Sequence, residues 1–107
     1  MAAPWVRLFS EVIMETRVAS ISIIIEDYSS VEAMNRLLHS YGEYIIGRMG
    51  IPYRQKGIYI ICIAIDAPQD VISTLSGRIG KLRGVSAKTA YSNIISRSEE
   101  NEKGETL

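Results

Sequence analysis

From Val18 to Ile25 the chain reads VASISIII, with Ala19, Ile21, Ile23 and Ile25 on one side and Ser20 and Ser22 on the other. Period-two patterning in β-branched residues predicts a strand. The period then changes. Val31, Met34, Leu38 and Tyr41 recur at helical spacing, and Gly42 is placed to end that helix. Ser29 and Glu32 have the spacing of a capping box, in which the serine hydroxyl accepts from a first-turn amide while the glutamate reaches back. Tyr44 to Tyr53 predicts a second strand, RQKG (54–57) a polar turn, and Ile58 to Asp66 a third strand. Pro68 suits the first position of a second helix and Asp70 its first turn, where the positive end of the helix dipole favours an acid. Val71, Leu75, Ile79 and Leu82 form its expected stripe, Gly84 its stop, and Val85 to Tyr91 a fourth strand.

The order βαββαβ predicts an α+β, ferredoxin-like sandwich: a four-stranded antiparallel sheet with two helices on one face. Its halves resemble each other, a strand ending in acid (Glu26-Asp27, then Asp66), a helix, a glycine and a strand, as in a pseudo-repeat of about 40 residues. In this topology the first and third strands are central. The isoleucines concentrate there, whereas Gly47, Gly50, Pro52, Ser86 and Lys88 fall in the second and fourth. Proline is tolerated at a sheet edge and seldom inside.

The third strand adds a further expectation. Tyr59, Ile61, Ile63 and Ile65 point one way, and Ile58, Ile60, Cys62 and Ala64 the other, so both faces are apolar. Two helices cover one face only. A second subunit on the other would bury several hundred Å2 of apolar surface, at about 25 cal/mol per Å2 before association costs. A homodimer or homotetramer is expected, with Ile58, Ile60, Cys62 and Ala64 at its interface.

Composition narrows the function classes. The 107 residues suit one domain, and 47% hydrophobic with 22% charged is ordinary globular usage. Twelve basic residues balance twelve acidic ones, which weighs against a protein that grips nucleic acid through phosphates. Cys62 is the sole cysteine, so no intrachain disulfide forms. The longest apolar run, Ile58 to Ile65, is far short of the roughly 18 residues needed to span a bilayer. The N-terminus lacks the pattern of a secretory signal, and a cytoplasmic location without membrane contact is expected. Residues 1–16 read as an N-terminal extension, with Met14 as a possible natural start, 17–91 as the domain, and 92–107 as a flexible polar tail.

With the elements placed, METRVASISIIIED (14–27), YGEYIIGRMGIPYRQKG (41–57) and VISTLSGRIGKLRGVSAKTAYS (71–92) together resemble the iron-only hydrogenase system regulators. These are small proteins of the ACT-like superfamily, related in fold to the C-terminal domain of the nickel-responsive repressor. The resemblance implies an oligomeric ACT-like domain without DNA-binding helices of its own, in transcription regulation or maturation of a hydrogenase system. It implies a module that senses a small effector and acts through a regulatory protein partner. ACT domains bind effectors at subunit interfaces near the loop after the first strand, which commonly carries Asp followed by Pro-Gly. Here that loop is Asp27-Tyr28-Ser29-Ser30, a departure that weighs against amino-acid binding in the usual mode. The nickel repressor's site takes several histidines and a cysteine; this chain has one of each, His39 and Cys62.

The candidate residues follow. Effector contacts are expected at Asp27, Gly47, Arg48, Gly50 and Tyr53. Arg48 lies between glycines that leave room for a ligand or a second chain, and its planar fork can hold a carboxylate or phosphate. Its structural reading is an edge-strand charge that discourages aggregation or pairs across an interface. His39 and Cys62 are weak metal candidates, short of partners; Cys62 reads as a small buried hydrophobe. Gly77, Gly80 and Gly84 match neither phosphate-loop nor dinucleotide spacing, and Gly77 reads as a close-packing glycine. Glu26, Asp27 and Asp66 read as loop and cap residues. No nucleophile or paired catalytic carboxylates emerge, so neither an enzyme nor a cofactor is expected. The alternatives are a structural interaction domain without ligand, or a metal-responsive sensor.

Overall fold

A computed structural model describes residues 15–97, the side chains of 95–97 excepted. Of the expected extension, 1–16, and the expected tail, 92–107, residues 1–14 and 98–107 lie outside the described residues, whereas 15–16 and 92–97 belong to strands. Four strands, β1 (Glu15–Ile25), β2 (Ile45–Tyr53), β3 (Ile58–Ala67) and β4 (Val85–Arg97), alternate with two helices, α1 (Val31–Ser40) and α2 (Gln69–Gly80). The sheet order is β2-β3-β1-β4 and every pairing is antiparallel. This is the expected ferredoxin-like arrangement, with the isoleucine-rich strands central and the glycine- and proline-bearing strand β2 at an edge.

Alternation decides which side chains enter the core. Ala19, Ile21, Ile23 and Ile25 of β1 face Ile61, Ile63, Ile65 and Ala67 of β3 under the helices, and all are buried. Met34 and Leu38 of α1 and Ile72, Leu75 and Ile79 of α2 complete this layer. The stripe of α2 is rotated from expectation. Ile72 is fully buried while Val71 and Leu82 pack at its margin. All four expected positions thus lie on or beside the core, but Ile72 takes the fully buried place that Val71 was expected to hold.

The start of α1 also differs. No capping box forms. The Asp27 carboxylate accepts from the backbone N–H of Ser29 at 2.9 Å and from its hydroxyl at 2.7 Å. This holds a 3-10 turn over Tyr28–Ser30 before the helix begins. A carboxylate is a stronger acceptor than a hydroxyl, and it captures Ser29 as a donor. Glu32 pairs instead with Arg36 at 3.6 Å on the exposed side of α1. The buried Ser30 hydroxyl donates to the Arg83 carbonyl at 2.6 Å, and Glu26 N–H donates to the Gly84 carbonyl at 2.7 Å. The loop after β1 is therefore stitched to the turn before β4.

Gly84 is required there. Its φ is +67°, and a Cβ would stand 2.6 Å from the Asp27 Cβ. Gly77 is different. A Cβ there would meet nothing within 4 Å, so the expected close backbone packing is absent. Pro68 caps α2 from just outside rather than occupying its first helical position. Strand β4 runs six residues past the expected end at Tyr91, pairing Arg17 with Ile95 after a register shift between Arg17 and Ala19. Arg17 helps to hold this extension. Its guanidinium donates to the Ser92 carbonyl at 2.9 Å and lies 4.6 Å from the centre of the Tyr91 ring.

Candidate functional site

The face of the sheet away from the helices is uncovered. Its register lays out three rows across β2, β3, β1 and β4: Ile51, Ile60, Ile24 and Ser86; Met49, Cys62, Ser22 and Lys88; Gly47, Ala64, Ser20 and Ala90. Tyr53 and Ile58 extend the first row's end, and Asp66 and Val18 lie beyond the third. The relief is graded. One end is a ridge of large apolar side chains, with Ile24 39% exposed and Ile51 46%, and Met49 in the middle row is 54% exposed. The other end is a trough of small residues. Two adjoining hollows lie along it, about 290 Å3 beside Gly47, Met49 and Cys62 and about 320 Å3 beside Val18, Ala90 and Ser92, with Ser20 and Ala64 lining both.

The residues expected at the interface, Ile58, Ile60, Cys62 and Ala64, all lie on this face and are half-buried. The five expected effector contacts do not converge. Alternation along β2 sends Gly47 and Tyr53 to the open face, in register with Ala64 and Ile58, and Arg48 and Gly50 to the helix side, in register with Ile63 and Ile61. Arg48 donates to the Asn35 side chain on α1 at 2.5 Å. The space over Gly50 is filled from within, since a Cβ there would lie 3.1 Å from the Tyr59 hydroxyl oxygen. Gly47 is open, with nothing within 4 Å of a Cβ. Asp27 sits at the end of β1, and its two bonds from Ser29, aided by the positive charge of Arg83, hold its carboxyl below the usual carboxylate range.

His39 is exposed on α1, whereas Cys62 lies on the opposite face of the sheet, so the two do not meet. Among the described residues no group of three or more His, Cys, Asp or Glu side chains is placed to hold a metal ion. No described helix is long and apolar enough to cross a membrane.

Sequence reasoning missed a second concavity. A cavity of about 730 Å3 opens between the start of β1 and the entry to α2, lined by Glu15, Arg17, Gln69, Asp70, Ser73 and Thr74 among others. Arg17 donates to the Gln69 side chain there at 2.7 Å. Nothing local in the sequence marks Arg17, because its partners are 52 and 75 residues away. Ser20 and Ser22 lie on the open face, the side that alternation assigned them, whereas Ile24, Met49 and Ile51 were missed as its members. The alternation that assigned Ile21 and Ile23 to the core could have found Ile24.

Comparison with known proteins gives one family. Residues 17–89 match the family model described as "Iron-only hydrogenase system regulator, putative", more than half of the chain. Among solved structures, the uncharacterized protein TM1266 from Thermotoga maritima is 31% identical over 71% of this chain and 96% of its own, with a TM-score of 0.69. A formyltetrahydrofolate deformylase from Pseudomonas putida KT2440 matches at 17% identity, covering 72% of this chain and 29% of the enzyme, with a TM-score of 0.53. That likeness concerns the fold alone. A search of curated proteins gives no match.

Proposed function

Since the chain belongs to the iron-only hydrogenase system regulator family, we propose that it acts in that system as a self-associating sensor module. Two or more copies meet through the open sheet face, a small effector is held between them, and the bound state is passed to a protein partner. The observation that carries this reading is the uncovered apolar face, on which Ile24, Met49, Ile51 and Tyr53 stand 39–54% exposed. A contiguous apolar patch of this kind on a small domain marks an interaction surface rather than ordinary surface variation. Its centre carries little charge, as the core of a protein interface does. Gly47 supports an effector seat at the same face, because it has open space above it and lines one of the two hollows.

The experiment is a thermal-shift screen of the full chain with amino acids, nucleotides and divalent metals, read beside its oligomeric state. A ligand in hundredfold excess over its Kd stabilises the native state by about 2.7 kcal/mol. A response lost in Gly47→Leu and kept in Arg48→Ala supports a seat on the open face. The opposite pattern moves the effector to the helix-side rim. A stable oligomer that responds to no ligand class supports the second reading, a structural interaction domain. That reading is favoured by the engagement of Arg48 with Asn35 and of Gly50 with Tyr59.

A further inference from the structure

The cavity between the start of β1 and the entry to α2 lies on the helix side of the sheet, so copies that meet through the open face leave it accessible. At about 730 Å3 it falls within the range of roughly 300–1,000 Å3 usual for small-molecule sites. Its walls differ in chemistry. Strand β1 contributes Glu15 and Arg17, and α2 contributes Gln69, Asp70, Ser73 and Thr74. Asp70, Ser73 and Thr74 are exposed and lie three and four residues apart, so one face of α2 presents a carboxylate and two hydroxyls side by side.

Arg17 is the fixed point of this site. Its guanidinium donates to the Gln69 side-chain oxygen at 2.7 Å and to the Ser92 carbonyl at 2.9 Å, and lies 4.6 Å from the centre of the Tyr91 ring. Contacts from both α2 and β4 therefore set the plane of the fork before any ligand arrives, and little side-chain freedom remains to be lost on binding. Both hydrogen bonds go to neutral oxygens. The Nε–H is buried without a hydrogen-bond partner among the described residues, which is rare for a buried donor. A guanidinium carries five N–H donors, and its bonds to an ionised acceptor are roughly twice as strong as those to an amide oxygen. Gln69 is exposed and free to swing outward, so its oxygen stands where an anion would bind more strongly.

The carboxylates of Asp70 and Glu15 limit what that anion can be. A phosphate ester or a dicarboxylate would bring a second negative charge against them. A single carboxylate joined to hydroxyl or ammonium groups instead offers these acceptors donors of their own. We propose that this cavity binds a small monocarboxylate bearing hydroxyl or amino groups. Its carboxylate lies on Arg17 in place of the Gln69 oxygen, and its donor groups meet Asp70, Ser73 and Thr74. The site shares no residue with the open face, so it stands or falls apart from the self-association proposed above.

Nuclear magnetic resonance titration of the isotope-labelled full chain tests this at constant ionic strength, with gluconate, glycine, propionate and succinate as probes. The Arg17 Nε–H signal, identified by its loss in Arg17→Lys, is the local reporter. Gluconate or glycine moves that signal and the Ser73 and Thr74 amides in a saturable way. A response to gluconate alone assigns the donors as hydroxyls, and one to glycine alone as an ammonium. Propionate lacks donors and succinate carries a second charge, so each binds at least about tenfold more weakly. Asp70→Asn narrows the gap between succinate and the better probe by about threefold or more. Because Arg17 also holds the end of β4, a second variant leaves it untouched. Thr74→Trp, at an exposed helix position, fills the cavity and abolishes the shifts while the remaining spectrum stays that of the folded domain. No saturable shift with gluconate or glycine, shifts that survive Thr74→Trp, or propionate or succinate binding as tightly as the better probe would overturn the proposal.

Discussion

Ile23 and Ile24 are neighbours in one strand with the same side chain, yet Ile23 is 0% exposed and Ile24 39%. The strand alternates, and what covers each face makes the difference. On the helix side, Met34, Leu38, Ile72, Leu75 and Ile79 close over the sheet. On the other, nothing from the described chain does. The first face is finished by the domain's own sequence and serves stability. The second is apolar without an internal partner, and under the reading advanced above it serves assembly.

The comparison breaks most visibly at that residue pair. Ile23→Ala should lower unfolding free energy by about 3 kcal/mol, because a void opens in a closed core. Ile24→Ala should cost the dilute domain less than about 1 kcal/mol and act mainly on association. Urea unfolding at two protein concentrations separates the two effects. Equal losses at high dilution would mean that the faces do not differ as described.

Next in size is the end of the closed face. Gly84→Ala should cost about 2–3 kcal/mol by the same measurement, from the left-handed backbone and the contact with Asp27 together. Gly77→Ala sharpens the contrast between glycines that are needed and those that are not. With open space at its Cβ, it should stabilise the domain by about 0.5–1 kcal/mol.

The smallest effect is at Asp27. Its native carboxyl titrates below the ordinary 3.8, so its contribution to stability is present above that value and fades as pH falls through the depressed native value. Ser29→Ala should move the Asp27 titration, followed by carboxyl-carbon NMR, back toward 3.8. An unchanged titration would show that the Ser29 bonds are not the cause.

These contrasts also mark what was legible in the sequence. Period and punctuation revealed the βαββαβ order, the central and edge strands, and the two apolar faces of β3. They did so because alternation and helical spacing are local properties. The residues Ile58, Ile60, Cys62 and Ala64 could be placed on one face from that periodicity alone. The effector group could not be assembled the same way. Neighbours in GRMGIPY necessarily point to opposite sides of the sheet, so the Arg48 guanidinium cannot reach a ligand seated over Gly47 on the open face. The role of Gly50 was hidden because its space is filled by Tyr59 from the next strand, and the α1 start because Asp27 accepts the Ser29 N–H that Glu32 was expected to take. Arg17 and the length of β4 depend on each other across 75 residues, which no window of sequence reports.

The central claim is that the open face is an interface between copies. Sedimentation velocity of the full chain at micromolar concentration, beside Ile60→Asp, tests it most directly. The account predicts a wild-type dimer or larger assembly and a folded Ile60→Asp monomer, since a carboxylate there must be buried unpaired in the assembly and stays in water in the monomer. A monomeric wild type, or an Ile60→Asp variant that assembles as tightly, would contradict it.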